Sequence, residues 1–200
     1  MEITVLSHYL FDEKMKELGL NDNNVESSNM AFISIIGTPE CLTYYLEEGD
    51  TKHCFGEHPN VLNLEFDDIE DDVIYNGHHF KTMRMPQAES AINFIENNIN
   101  AEHIWIHCRA GMSRSRAFGE FIWRYCKENN IECVYEDRND YTTMLNYGVL
   151  RRLEHAYWKK HSLRLYEGEN KDYPEDLVNP PVRIINRERE RRAWELNEEE

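Results

Sequence analysis

The chain has 200 residues, with 38 Asp and Glu against 22 Lys and Arg and a formal net charge of −16. That length holds one domain, or one domain with a tail, and so large an acidic excess argues against bulk nucleic-acid binding and against binding to anionic membrane surfaces. A hydrophobic content of 40%, with 12% aromatic, excludes global disorder. Apolar runs such as residues 31–37 fall far short of the ~20 residues of a membrane helix. The Met-Glu-Ile-Thr-Val start lacks the basic and then apolar pattern of a secretory leader. The cysteines (Cys41, Cys54, Cys108, Cys126 and Cys133) are odd in number and widely spaced. They point away from a disulfide framework and towards a reducing, cytoplasmic setting.

Short β-type runs alternate with helical patterns along the chain. Residues 2–6 and 31–36 read as strands, the second ending at Gly37. Thr38 followed by Pro39 predicts a capped helix through about residue 48. Residues 61–66 form the next strand, with Leu62, Leu64 and Phe66 on one face. The acidic, glycine-containing stretch 67–79 reads as a loop. A helix from Pro86 to about Asn98 carries Ala88, Ala91, Ile92 and Ile95 at helical spacing. Residues 103–107 are a compact strand, and 113–128 a helix with Ala117, Phe121, Ile122 and Tyr125 along one stripe. A last short strand at 131–135 and a long helix over 141–160 complete the pattern.

Strands separated by helices require crossover connections. The expected fold is therefore α/β, with three layers: a mostly parallel central sheet of four or five strands and helices on both faces. The domain spans residues 1–165. Residues 166–200, polar and proline-bearing and then almost entirely charged, read as a charged C-terminal tail, helical at most near its end.

One segment stands apart: His107-Cys108-Arg109-Ala110-Gly111-Met112-Ser113-Arg114-Ser115. A strand delivers a cysteine into a short loop that opens directly into a helix. The loop amides and the unpaired N–H groups of the helix start converge on one concavity, an anion site. Gly111 lets the backbone bend without a side chain blocking the bowl. The helix dipole and nearby cations favour the thiolate of Cys108. Arg114 can hold two phosphate oxygens in a fork, and Ser115 can offer its hydroxyl to the sulfur.

This stretch resembles the His-Cys-x5-Arg-Ser/Thr signature of the cysteine-dependent phosphatases. Its Ala-Gly-x-Ser-Arg-Ser ending is similar to the dual-specificity branch of the protein tyrosine phosphatase superfamily. The Gly-x-Gly-Arg-Thr-Gly ending and the Trp-Pro-Asp loop of the longer tyrosine-specific members are absent from the sequence. The order of elements matches over about residues 31–160, although only the phosphate loop is specific.

The resemblance implies that Cys108 is the nucleophile of a phosphocysteine intermediate. Arg114 and the loop from Arg109 through Ala110, Gly111, Met112 and Ser113 would bind the phosphoryl oxygens. His107 would orient the loop, and Ser115 would assist breakdown of the intermediate. No metal or other cofactor is required by that chemistry. The family also uses an aspartic acid on a loop after an upstream strand. Alternation of the strand at 61–66 continues into Asp68, while Asp67, Asp71 and Asp72 stay open as alternatives. Asp68 lies 108 − 68 = 40 positions before Cys108, a longer interval than short family members show.

Other signals carry less. His53-Cys54-x3-His58, with His78 and His79 later, lacks the paired spacing of a structural zinc site, so these read as loop histidines and a buried cysteine. Cys41 or Cys54 could serve Cys108 as a redox partner. Charge is segregated: residues 40–72 hold eleven acids and Lys52 alone as a base, whereas 101–125 hold four arginines and two glutamates. The expected function is hydrolysis of phosphomonoesters, chiefly phosphotyrosine and secondarily phosphoserine or phosphothreonine of a phosphorylated protein substrate. An RNA 5′-phosphatase, a phosphoinositide phosphatase and a catalytically poor phospho-binding module are the competing readings.

Overall fold

The computed structural model describes residues 1–41, 52–135, 144–161 and 174–185. Its elements in chain order are β1 (Glu2–Ser7), α1 (His8–Glu17), β2 (Met30–Ile36), β3 (Val61–Glu65), β4 (Asp72–Tyr75), β5 (His78–Phe80), α2 (Met85–Asn97), β6 (His103–Cys108), α3 (Arg114–Glu128), α4 (Tyr147–Lys160), α5 (Glu175–Val178) and β7 (Val182–Ile185).

The apolar runs pair as a four-stranded sheet in the order β1-β6-β2-β3. Every neighbouring pair is parallel, as strands connected through helices must be. β6 occupies an interior position, with His107 in register with Leu6 of β1 and Ser34 of β2. Strand alternation then sends side chains to two separate cores. Ile104, Ile106 and Cys108 join Ile33, Ile35, Leu64 and the buried stripes of α2, α3 and α4 in the larger core. Phe32, Leu6 and Val61 face the other side, where Phe11 and Met15 of α1 and Phe55 close a smaller core. Helices therefore cover both faces, giving the α/β layering that the alternating pattern implies.

The helical stripes of α2 and α3 match the expected spacing: Ala88, Ala91, Ile92, Ile95, Ala117, Phe121 and Ile122 are all buried. Residues 39–41 begin the helix expected after Thr38, whose remainder lies outside the described residues. So does the start of the helix expected from residue 141; α4 is seen from Tyr147. The strand expected at 131–135 shrinks to a single bridge between Val134 and Glu2 at the outer edge of β1.

Three segments depart from the sequence reading. α1 begins at Ser7, whose side chain accepts from the Leu10 amide, so β1 runs straight into a helix. The stretch read as a loop over 67–79 contains β4, and β4 pairs antiparallel with β5 across Asn76-Gly77. Both turn residues have positive φ, 49° and 86°, the conformation that a two-residue hairpin turn demands. Finally, part of the supposed tail is docked. β7 pairs parallel with β4, Leu177 is buried in the larger core, and Arg151 pairs with Asp176 at 2.6 Å. β4 offers an open edge beside β5, and chain from beyond residue 165 satisfies it. Among the described residues, no helix is long and apolar enough to cross a membrane.

Docking of residues 174–185 has a measurable cost attached. Leu177→Ala should remove about 2 kcal/mol or more of stability, as truncation of a fully buried leucine does, and lower the denaturant midpoint. An unchanged midpoint would show that this segment does not pack on the domain.

Candidate active site

β6 ends at Cys108, which is 2% exposed, and after five intervening residues α3 begins at Arg114. The connecting loop turns at Gly111, where φ is 70°. A Cβ at that position would lie 2.6 Å from the backbone of Leu6 and Ser7, so the loop sits against the carboxyl end of β1 with room only for glycine. A hydrogen bond from the His8 amide to the Arg109 carbonyl, 3.2 Å, fastens the same junction.

The start of α3 has no side-chain cap: Ser113 occupies the capping position without accepting from the helix. Its hydroxyl donates instead to Oδ1 of Asp68 at 2.7 Å. Among the described residues, the amides from Ala110 to Ser113 donate to no backbone carbonyl. The loop therefore leaves backbone donors unused by backbone carbonyls next to the positive end of a 15-residue helix, a combination electrostatically suited to an anion. The Ser115 hydroxyl lies 3.1 Å from the Cys108 sulfur, fully enclosed.

Arg114 is 6% exposed. Its Nη1 donates to the Phe66 carbonyl at 2.7 Å, which holds the guanidinium between α3 and the end of β3, while Nε has no hydrogen-bond partner among the described residues. Arg116, in the same first turn of α3, donates from Nε to the Gly111 carbonyl at 3.2 Å and braces the loop. Met112 is 41% exposed, and Ala110 is exposed beside it.

The four carboxylates after β3 separate by their surroundings. Asp67 is buried and accepts from the Thr38 amide and hydroxyl and from the Lys81 amide. Asp72 is buried and accepts from the Thr82 amide and from Arg84 at 2.6 Å. Asp71 reaches Arg183 of β7 at 3.0 Å. Asp68 alone of the four is exposed and touches the phosphate loop, through Ser113. The first three fasten chain segments to one another.

Asn146 was not singled out in the sequence. It caps α4 by accepting from the Val149 amide, and its Nδ2 donates to Asp68 Oδ1 at 2.9 Å. Farther along α4, fully buried Arg152 donates to the Glu70 carbonyl, and Gly148 admits the Glu70 backbone, 2.9 Å from where a Cβ would sit. The end of α4 thereby positions the acidic loop. The one local clue is an asparagine ahead of an apolar helical stripe, a capping signal that says nothing of a contact 78 positions away.

His107 is fully buried on the α1 side of the sheet, with its ring centroid 4.3 Å from that of Phe11. Neither ring nitrogen has a hydrogen-bond partner among the described residues, so its contacts there are packing ones. Burial, followed by the charges of His8, His53 and Arg114, pushes its pKa down to about 3. None of the five cysteines is in a disulfide. Burial and then Asp67 push the Cys41 thiol up to about 11, which keeps it protonated and a poor nucleophile. The loop histidines do not gather as a set: His58 pairs with Asp22 at 3.1 Å and His79 with Asp72 at 3.3 Å.

Compared with known proteins, the chain matches no family model, no curated protein and no solved structure.

The contrast among the carboxylates predicts a contrast in stability. Asp67→Asn, which disturbs three hydrogen bonds, two of them buried, should cost about 1–3 kcal/mol. Asp68→Asn, at an exposed site, should change stability by less than about 0.5 kcal/mol. Urea titration of the two variants checks this, and equal losses would contradict the assignment of Asp67 as the structural member of the pair.

Proposed function

We propose that this chain is a metal-independent cysteine phosphatase of the dual-specificity type, acting on phosphomonoesters, chiefly phosphotyrosine in proteins. The observation that carries this reading is the conjunction, on one strand–loop–helix, of an enclosed cysteine sulfur beside the Ser115 hydroxyl, an uncapped helix N-terminus and a buried arginine whose Nε has no hydrogen-bond partner among the described residues. An exposed aspartate is anchored to the same loop. The parallel α/β sheet with helices on both faces is compatible with the tyrosine phosphatase-like architecture.

The substrate phosphoryl group occupies the bowl, its oxygens held by the amides of residues 109–114 and by Arg114, whose Nε gains an acceptor there. The Cys108 thiolate attacks phosphorus, forming an S–P bond as the P–O bond to the leaving group breaks. Asp68, protonated at this stage, delivers its proton to the leaving oxygen. Both hydrogen bonds to Asp68 fall on Oδ1, so Oδ2 carries that proton. In the second half, the Asp68 carboxylate takes a proton from water, and the oxygen attacks phosphorus. Inorganic phosphate and the thiolate are released, with Ser115 donating to the departing sulfur.

Exposed Met112 lies in the loop itself, an apolar side chain of the kind that packs on an aryl ring. The net charge of −16 disfavours RNA ends and clustered inositol phosphates, which carry many charges at once.

Purified protein should hydrolyse p-nitrophenyl phosphate in the presence of chelator, with inhibition by orthovanadate. Cys108→Ser should abolish turnover, and Asp68→Asn should lower kcat by about 10²–10⁴-fold and remove the basic limb of the pH profile. Turnover surviving in Cys108→Ser would sink the mechanism. Phosphopeptides should outrank RNA 5′-triphosphate and phosphoinositides as substrates. Tight phosphopeptide binding without turnover would instead identify a binding module.

A further inference from the structure

The face of the sheet opposite Cys108 carries a second cluster of chemistry-bearing side chains. His107 points to the α1 side, fully buried, with both ring nitrogens lacking a hydrogen-bond partner among the described residues. Such groups in protein interiors ordinarily have partners. Two other segments deliver donors to the same place. β1 ends level with β6, Ser7 opposite Cys108, so His8 emerges beside His107, with ring centroids 5.0 Å apart. The chain ahead of β3 brings in Cys54, and one ligand atom from each of His8, Cys54 and His107 lies within 4.8 Å of the other two. Its neighbour His53 is fixed by a 2.7 Å hydrogen bond between Nδ1 and Ser34 Oγ, on the strand directly beside His107.

We propose that His8, Cys54 and His107 bind a zinc ion on the α1 face of the sheet, behind the phosphate loop. Two imidazoles and a thiolate form a borderline-soft donor set that suits Zn²⁺, whereas calcium and magnesium require oxygen donors. Zinc–nitrogen and zinc–sulfur bonds of about 2.0–2.3 Å place ligand atoms closer together than 4.8 Å, a gap that small side-chain rotations close. Cys54 gives up its proton on binding, and one tetrahedral position is left for water. The spacing of these residues, 8, 54 and 107, has none of the paired regularity of zinc motifs, so only the fold reveals them as a set.

The ion would cross-link the β1–α1 junction, the segment leading to β3 and the end of β6. It would not touch the phosphoryl group, because Cys108 faces the other core. The site is thus structural and independent of whether the phosphate loop hydrolyses anything. Bound zinc stabilises the native chain by mass action.

The test is titration of chelator-treated full-length protein with Zn²⁺ by calorimetry, with Co²⁺ as a spectroscopic probe. One ion per chain, a thiolate-to-cobalt charge-transfer band in the near ultraviolet and a raised Tm are expected. Cys54→Ser should abolish that band and weaken zinc binding by more than about 100-fold, beyond the loss typical of second-shell changes; Cys108→Ser should bind as the wild type does. Circular dichroism in chelator verifies that Cys54→Ser is folded, and His8→Gln serves as the second variant if it is not. Undiminished binding in Cys54→Ser or His8→Gln, loss of the ion in Cys108→Ser, or no binding to the wild type would each overturn the proposal.

Discussion

The backbone of Leu6 and Ser7 comes within 2.6 Å of where any side chain on residue 111 would begin, and the rest of the site depends on that contact. It fixes how far the loop can rise above the carboxyl end of the sheet, and therefore where the amides after Cys108 point. β1 and β6 are parallel neighbours in register up to Ser7 and Cys108, so the two chains leave the sheet at the same level. One turns immediately into α1 and the other must bend over it before entering α3. Glycine in the left-handed region makes that bend without steric cost, and the helix start follows directly, its Ser115 hydroxyl 3.1 Å from the Cys108 sulfur.

The acidic loop is the second half of the site, and it is held from outside. Asp67 ties it to Thr38 and Lys81, Asp72 ties it to Arg84, and the N-terminus of α4 supplies Asn146 and buried Arg152. β7 adds a parallel strand to β4 on the far side. Between these anchors Asp68 remains exposed. An acidic chain thereby uses most of its local carboxylates as fasteners. Among the described residues, the side chains of the loop after β6 meet the acidic run through the hydrogen bond from Ser113 to Asp68, so the strong negative charge of this region is compatible with the proposed oxyanion site.

Local pattern and long-range contact divide what could be read in advance. The strand, loop and helix around Cys108 were legible because they are contiguous, and the alternation of Leu62, Leu64 and Phe66 singled out Asp68, which is exposed beside Ser113, for a similarly local reason. Asn146, the β7 pairing and the cluster around His107 were not legible, since each rests on a contact across many tens of residues that no periodicity records. The hairpin at Asn76-Gly77 is a different case. Its turn signal is present in the sequence, but the surrounding acidic residues made the stretch resemble a solvated loop. Pairing of β4 with both β5 and β7 overrides that composition.

The central claim is that the loop after β6 performs covalent phosphoryl transfer on Cys108. Rapid quench of an Asp68→Ala variant reacting with an activated aryl phosphate, followed by mass spectrometry of the peptide containing residue 108, tests it most directly. The account predicts a burst of about one phenolate per chain, as accumulation of a covalent intermediate gives, with the phosphoryl group on Cys108. A phosphoryl group on any other residue, or turnover without a phosphorylated cysteine, would contradict it.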